Sequence, residues 1–589
     1  KEFEQKLAIE SKSNPKALFN YTNCKLKIRS GIADLDTDSG KASVDAEKAQ
    51  VLNNFFTSVF TRERLESVPV LSDLEGVDPL EDLIVTVQAV KKKLDKLNPS
   101  KSSGPDGIHP RILKELSNVV CVPLAMIMQK SLDEGTLPQA WKDAHVSPIF
   151  KKGKKNLATN YRPVSLTSVI CKMLESIIRD HVIDHVDKYD LITKCQHGFV
   201  SGRSCSTQLI ACLDTWTEIL ERGSSLDAVY LDFSKAFDSV PHRRLCAKLE
   251  RYGIVNNVLK WITDFLANRR QKVVVNGEES DWQGVLSGVP QGSVIGPVLF
   301  IIFINDMPDV CDSFIQMFAD DAKVFTETNT SEKRDQLQGD LNELQKWAQK
   351  WQMSFNVSKC KVMHVGKNNR KYEYCMGDVT LDTVDCERDL GVLVDDMLRF
   401  DAHAENQANK ANKILGLIRR SFTYLDATSF SMLYKSQVRT HLEYANAVVY
   451  PQYESESKLL ESVQRRATKL VPGMKNLDYV QRLKKLNLPS LQYRRQRGDM
   501  IEAYKYTHGL YKVSPSPIHL AQGTVTRGHA FKMSKVLSTK NIRTKFFSER
   551  IVNEWNTLPA DTAEAPSLNA FKNRLDKHWI EKLYDIPNF

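Results

Sequence analysis

Two adjacent carboxylates at the end of a hydrophobic strand constrain this chain more than any other feature. Phe314 to Phe318 is an apolar run, Asp320 and Asp321 follow after one alanine, and Ala322 to Phe325 is apolar-leaning again. The pattern reads as strand, tight turn, strand. Successive side chains on a strand point to opposite faces, so neighbouring aspartates serve one site only where the backbone turns. Two carboxylates held at a turn repel each other unless a cation sits between them, and hard oxygen ligands select Mg²⁺ or Mn²⁺. Taken alone, the pair reads more simply as a polar turn; the rest of the chain decides.

The 589 residues exceed what one core organises, so two to four domains are expected. Formal net charge is +10, which favours an anionic partner without telling nucleic acid from a membrane surface. The longest apolar run, Val294 to Ile304, is too short to span a bilayer and reads as a buried helix. The first residues are no signal peptide, and a chain that does not begin with Met reads as a fragment or a truncated reading frame. The 11 cysteines are scattered, with no C-x-x-C pair and none after Cys386. That is a reduced, intracellular pattern, and it argues against a zinc knuckle.

The pair has company. Asp227 to Leu231 is a short buried-type strand with Asp232 at its end. Ala144 to Phe150 is a strand running into Lys151-Lys152-Gly153-Lys154-Lys155, a basic tip suited to triphosphate oxygens, and Arg162 follows it. Gln196 to Phe199 and Gly202 to Ser204 form a glycine-punctuated loop ahead of a helix from Thr207 to Glu221. Gln271 to Val275 followed by Asn276-Gly277 is a hairpin with a type I′ turn. Ser287 to Ser293 is a glycine-rich loop, suited to lie against a flat base, that opens the buried helix. Leu337, Leu341, Leu344, Ala348 and Trp351 form a core stripe at helical spacing. Ser354 to Val365 reads as a strand holding Asn356 and Lys359, and Asp389 to Val394 as another, with a glycine allowing close backbone approach. From Ala402 onward the chain reads as nearly all helix. Its recurring basic residues, Arg465, Arg466, Arg494, Arg495 and Arg497 among them, read as a phosphate-tracking surface.

Strands ending in Asp232 and in Asp320-Asp321 can pair antiparallel and bring three carboxylates together, the layout of a two-metal phosphoryl-transfer site. The turn geometry predicts that Asp320 points inward with Asp232 and that Asp321 contributes less directly.

The order of blocks then points to a family. LDFSKAFDSVPH (Leu231 to His242), SGVPQGSVIGP (Ser287 to Pro297), FADD (Phe318 to Asp321), NVSKC (Asn356 to Cys360) and LGV (Leu390 to Val392) resemble the reverse transcriptases of non-LTR, LINE-type retrotransposons, the jockey-like group in particular. KSSGPDGIHP (Lys101 to Pro110), NYRPVSL (Asn160 to Leu166) and QHGFVSGRS (Gln196 to Ser204) resemble the same family's finger blocks.

The resemblance implies an α+β right-hand polymerase with an antiparallel palm sheet, a helical thumb and a helical C-terminal tail. The expected limits are 1–84 for an N-terminal helical linker region, 85–395 for fingers and palm, 396–512 for the thumb, 513–523 for a linker and 524–589 for the tail. It implies an RNA-directed DNA polymerase using two Mg²⁺ ions, or Mn²⁺, with RNA template, DNA primer and dNTPs as partners. A nuclear or cytoplasmic ribonucleoprotein is the implied setting. Asp232, Asp320 and Asp321 would be the metal ligands, with Phe233 offering a backbone carbonyl. Phe237 would be the steric gate against the sugar 2′ position, and Gln291 and Gly292 the loop beneath the nascent pair. Lys359 would protonate pyrophosphate, Leu390, Gly391 and Val392 would grip the primer, and Arg162 with Lys151 or Lys152 would hold the triphosphate. Lys1 to Ile84 is expected to be too short for the endonuclease that members of this group carry, and no ribonuclease H block follows the thumb. The rival expectation is an idle or co-opted nucleic-acid-binding relic.

Overall fold

The computed structural model of the chain describes residues 1–27, 31–38, 40–521 and 528–586. Positions 522–527, where the expected linker meets the expected tail, lie outside the described residues. The elements that carry the site are, in chain order, β1 (Asp143–Phe150), β2 (Tyr161–Leu166), α1 (Val169–Lys188), α2 (Cys205–Glu221), β3 (Leu226–Leu231), β4 (Arg270–Val275), α3 (Gly296–Ile304), β5 (Phe314–Phe318), β6 (Asp321–Glu327), α4 (Ser331–Lys350), β7 (Lys361–Val365), β8 (Cys386–Asp389), β9 (Val392–Asp395) and α5 (Asp401–Ser421).

The central sheet runs β7-β3-β6-β5, every neighbour antiparallel, with Asp382–Thr383 added parallel outside β7. Side chains alternate across it. Val229, Leu231, Ala322, Val324, Ile315 and Met317 enter one core with α3 and α4. Leu226, Ala228, Phe325, Met363 and Val365 enter a second core with Trp216 of α2. A helix apolar on all sides must be buried on all sides, and from Val298 to Ile304 every residue of α3 is buried. The stripe Leu337, Leu341, Leu344, Ala348 and Trp351 is buried throughout. Among the described residues no helix is long and apolar enough to cross a membrane.

A second sheet has the order β2-β1-β4, with β1 antiparallel to β2 and parallel to β4. After β4 the chain reverses through Asn276 and Gly277, both at positive φ (51° and 98°), into Glu278–Glu279, as a type I′ turn requires.

Both ends of the chain are built into the body. Glu2–Glu10 and Pro15–Lys25 dock on the helical region through Leu7, Ala8 and Leu18. The Glu4 carboxylate accepts the backbone N–H groups of Thr423 and Tyr424. Asp45–Ser58 packs Ala49, Leu52 and Phe56 against Val146, Val273 and Val275 of the second sheet. At the other end, Phe547, Ile551, Trp555, Phe571, Leu575 and Trp579 complete the core under α2. Arg543 ties this packing to α2, donating to Asp214 Oδ1 at 2.7 Å and Thr217 Oγ1 at 3.0 Å, with Glu549 at 3.8 Å.

Removing one partner of a buried ion pair leaves the other charge uncompensated. Arg543→Ala is expected to destabilise this core by about 3–5 kcal/mol. Urea melts followed by tryptophan fluorescence, to which Trp216 and Trp555 contribute, check this; an unchanged midpoint would mean that the last helices are only loosely attached.

Candidate active site

The β5–β6 hairpin closes on a two-residue turn, because Phe318 pairs with Asp321 and leaves only Ala319 and Asp320 between them. Ala319 has φ +53°, a left-handed conformation costing roughly 1–2 kcal/mol in a residue with a Cβ. A neighbouring loop holds it there. Gln196 Oε1 accepts the N–H of Ala319 at 2.9 Å and that of Gly198 at 2.7 Å. Met317 N–H bonds to Cys195 O, and His197 N–H to Met317 O, both at 2.9 Å, so the loop runs beside β5 as an extra edge. A Cβ on Gly198 would lie 2.3 Å from the Ala319 nitrogen, so only glycine fits. The QHG block is thus the bracket of the carboxylate turn. The sequence shows the glycine but not which turn it touches, since Gln196 and Ala319 are 123 residues apart.

Register brings the carboxylates together. Leu231 opposes Ala322, so Asp232 emerges beside Asp321 at the same end of the sheet. Burial, then the charge of Asp232, raises the Asp320 carboxyl above its ordinary range, while Arg162 and Lys151 pull it down. Burial, followed by Asp320, Asp389 and Asp232, pushes Asp321 up to about 6. Asp321 keeps a solvent-accessible edge, but it stands in a cleft of about 120 Å³ lined also by Asp232, Lys359 and Leu390. Both aspartates of the turn therefore flank Asp232, Asp320 on the side of Arg162 and Lys151 and Asp321 on the side of Leu390.

The donor set suits a hard divalent ion. Three carboxylates emerge at one end of the sheet, with a short cationic contact from Lys359 Nζ to Asp232 Oδ2 at 2.9 Å. Phe233 forms a bridge with Phe355, flanked by Asn356 N–H to Asp232 O and Ser234 N–H to Ser354 O. Phe233's own carbonyl therefore points away from that ladder. Among the described residues no three His, Cys, Asp or Glu groups already stand at metal-binding spacing; the neighbouring carboxylates that, after burial, raise Asp320 and Asp321 are the charge a metal would neutralise.

Lys359 does not lie on a strand. Val357–Lys359 is a 3₁₀ turn and β7 begins only at Lys361. The bridge at Phe233 uses up the extended stretch, after which the chain must turn to enter the sheet.

Lys151 and Arg162 are exposed near the β1–β2 tip, as is Lys152, and none of the three has an ion-pair partner among the described residues. Burial, then Arg162 and Lys359, lowers the affinity of Lys151 for its proton, so these cations crowd one another opposite the carboxylates. Phe237 stacks on Phe300 of α3 (4.4 Å, 20°). Gln291 Nε2 donates to Asp238 Oδ1 at 3.0 Å, and Gln291 O accepts the Ser165 N–H at 2.7 Å. Gly292, at φ +120°, lies so close to β2 that a Cβ would meet Ser165 O at 2.5 Å.

Asp389 to Val394 is a hairpin rather than one strand. Leu390 and Gly391 have φ +44° and +87° and form its turn between β8 and β9. Tyr444 Oη donates to Leu390 O at 2.5 Å. The base of the hairpin is fixed by an ion pair between Asp389 and the buried Lys323 of β6, which also donates to Gln208 at 3.1 Å. Val392 is buried, which leaves Leu390 and the turn backbone to face the cleft.

The basic residues of the helical region divide. Arg465 and Arg466 are exposed. Arg494 grips Glu443 through two nitrogens at 2.6 and 2.9 Å, Arg497 pairs with Asp576, and Arg495 is buried. These three brace helices instead of forming the open surface expected from sequence.

Residues 149–419 match the family model described as reverse transcriptase (RNA-dependent DNA polymerase). In this region the chain is similar to the polymerases of jockey-like non-LTR elements. The chain is 33% identical over 286 residues to the RNA-directed DNA polymerase from mobile element jockey of Drosophila funebris, covering 47% of this chain and 31% of that protein. It is 31% identical over 333 residues to the Drosophila melanogaster jockey polymerase, covering 55% and 36%. To the probable RNA-directed DNA polymerase from transposon X-element of Drosophila melanogaster it is 25% identical over 393 residues, covering 64% and 42%. The chain thus spans about a third of the length of the jockey polymerases it matches.

The raised Asp321 carboxyl sets a pH dependence. Below about 6 it holds its proton, above that it is ionised, and a divalent cation binds the ionised form in competition with the proton. Mg²⁺ is therefore expected to raise the thermal midpoint more at about pH 7.5 than at about pH 5.5, and Asp321→Asn to flatten that difference. Equal Mg²⁺ stabilisation at both pH values would mean that Asp321 takes no part in holding the ion.

Proposed function

We propose that this chain is an RNA-directed DNA polymerase that transfers nucleotides from dNTPs to a primer 3′-hydroxyl on an RNA template. The observation that carries the reading is the convergence of Asp232, Asp320 and Asp321 under the basic tip bearing Lys151 and Arg162. In the reaction the primer 3′-oxygen bonds to the α-phosphorus of the nucleotide as the bond to the pyrophosphate oxygen breaks. Asp232, Asp320, Asp321 and the Phe233 carbonyl would hold two Mg²⁺ ions, or Mn²⁺, whose charge when bound would activate the hydroxyl and stabilise the leaving group.

The other residues position and discriminate. Arg162, Lys151 and Lys152 hold the triphosphate as an anion site open to the cleft. Phe237, fixed by its stack on Phe300, closes the space a 2′-hydroxyl would need. Gln291 and Gly292 form a floor for the nascent pair, drawn tight against β2 by the Ser165 bond. Leu390 and Gly391 support the primer end. Lys359 is the proton donor to the departing pyrophosphate, within reach of the reacting groups through its contact with Asp232.

Primer extension on an RNA template with Mg²⁺ is the test. Extension by the unaltered chain and its loss in Asp320→Ala, with RNA binding retained, is the expected result; a chain that binds RNA but never extends would instead be a binding relic. Lys359→Leu is expected to slow single-turnover chemistry by roughly 10²–10⁴-fold, and an effect confined to nucleotide affinity would reassign it to phosphate binding.

Gln196 should matter without touching substrate. With its carboxamide gone, Ala319 loses the acceptor that keeps it left-handed, and a small displacement of reacting groups costs on the order of 10²-fold. Gln196→Ala is expected to lower kcat by that order and leave KM for dNTP nearly unchanged, and a KM effect alone would exclude a role in shaping the carboxylate turn.

A further inference from the structure

One residue at this site breaks two rules of protein surfaces together. Phe199 is 55% exposed, and its backbone has φ +56°. A bulky residue rarely adopts the left-handed region, and such outliers persist where the surroundings over-determine them. Here they do. Gly198 is pressed on the Ala319 nitrogen, Gln196 bonds both backbones, and the Arg203 guanidinium holds the loop by donating to Thr193 O at 2.8 Å and Gln196 O at 2.6 Å. None of these contacts uses the Phe199 ring. Glycine at this position would carry no strain and expose no apolar surface, so the fold itself has no need of the ring.

The ring stands between two points whose roles follow from the polymerase reading, on which this inference rests. On one side Phe199 meets Phe237 edge-on, with centroids 6.5 Å apart and planes at 82°. Phe237 in turn stacks on Phe300, so Phe300, Phe237 and Phe199 make one aromatic wall. On the other side its neighbour Gly198 sits directly on the Ala319–Asp320 turn. If Phe237 faces the incoming sugar and the turn carries the site of the primer 3′-hydroxyl, the nucleotide between them is the primer terminus.

We propose that Phe199 is a second sugar-reading residue, packed against the sugar of the primer's 3′-terminal nucleotide one step behind Phe237. An aromatic edge has no acceptor or donor for a 2′-hydroxyl, which would lose water without replacement. The ring therefore favours a terminus ending in deoxyribose over one ending in ribose.

The test compares two primers on one RNA template, identical except that the last nucleotide is deoxyribose or ribose, with dNTPs and Mg²⁺. The unaltered chain is expected to extend the deoxy-terminated primer with kcat/KM higher by on the order of five- to tenfold. Phe199→Ala should bring that ratio close to one. Phe199→Gly should do the same while melting no lower than the parent, since glycine suits the backbone. The choice between rNTP and dNTP, read by Phe237, should move less than the terminus ratio. An unchanged terminus ratio in an active variant overturns the proposal. So does a change confined to rNTP selectivity, which would make Phe199 a buttress for Phe237. Loss of extension on both primers at unchanged melting temperature would also overturn it, by showing a requirement that is blind to the sugar. Failure of the unaltered chain to extend either primer would remove the polymerase reading itself, a result distinct from these.

Discussion

Like charges brought within one cleft repel, and most of what surrounds Asp232, Asp320 and Asp321 exists to hold them there. The antiparallel pairing of Leu231 with Ala322 forces the proximity, since a shift by one residue would send every side chain of β6 to the opposite face. Burial first, and then this repulsion, raises the carboxyls of Asp320 and Asp321. Against it stand the apolar faces of the sheet, the Gln196 bracket on the turn and the single lysine contact at Asp232. A site assembled against its own electrostatics is one that a divalent cation would relieve.

The same sheet connects the chemistry to the hairpin at Leu390-Gly391. Lys323 is separated from Asp321 by one residue, so it lies on the same side of β6, pointing toward α2, and there it pairs with Asp389 at the base of the hairpin. Tyr444 from the helical region holds the other side of that turn. A movement of the helices against the sheet would have to pass through these two contacts, so the hairpin keeps a fixed distance from the carboxylates.

The parts of the fold that were legible in the sequence are those governed by local rules. β5 and β6 were bounded by hydrophobic runs, the Asn276-Gly277 turn by its residue types, and α3 by an apolar run too short for a membrane. The errors came where partners are remote. The turn at Leu390-Gly391 starts with a leucine at positive φ, which no turn preference announces. Lys359 left the expected strand because of a bridge to Phe233. Arg494 and Arg497 read as a phosphate surface because their acids, Glu443 and Asp576, lie 51 and 79 residues away. Of the candidate site, the shared position of the carboxylates at one end of the sheet was legible, since it follows from strand pairing. Gln196 and Phe199 were not, since their importance lies in a contact or a backbone angle.

The helices that finish the second core come last in the chain. Trp216, Leu226 and Phe325 line one face of the sheet, and Phe547, Trp555 and Phe571 close the core on that side. Synthesis proceeds from the N-terminus, and domains made earlier fold first where they can. Here the strand carrying Asp232 leaves the ribosome several hundred residues before the last helices, so in the interval that face has α2 but not those helices as cover. Maturation of the carboxylate cluster is thereby tied to synthesis of those helices, and a nascent chain halted before Asn541 would carry three aspartates on a sheet only partly covered.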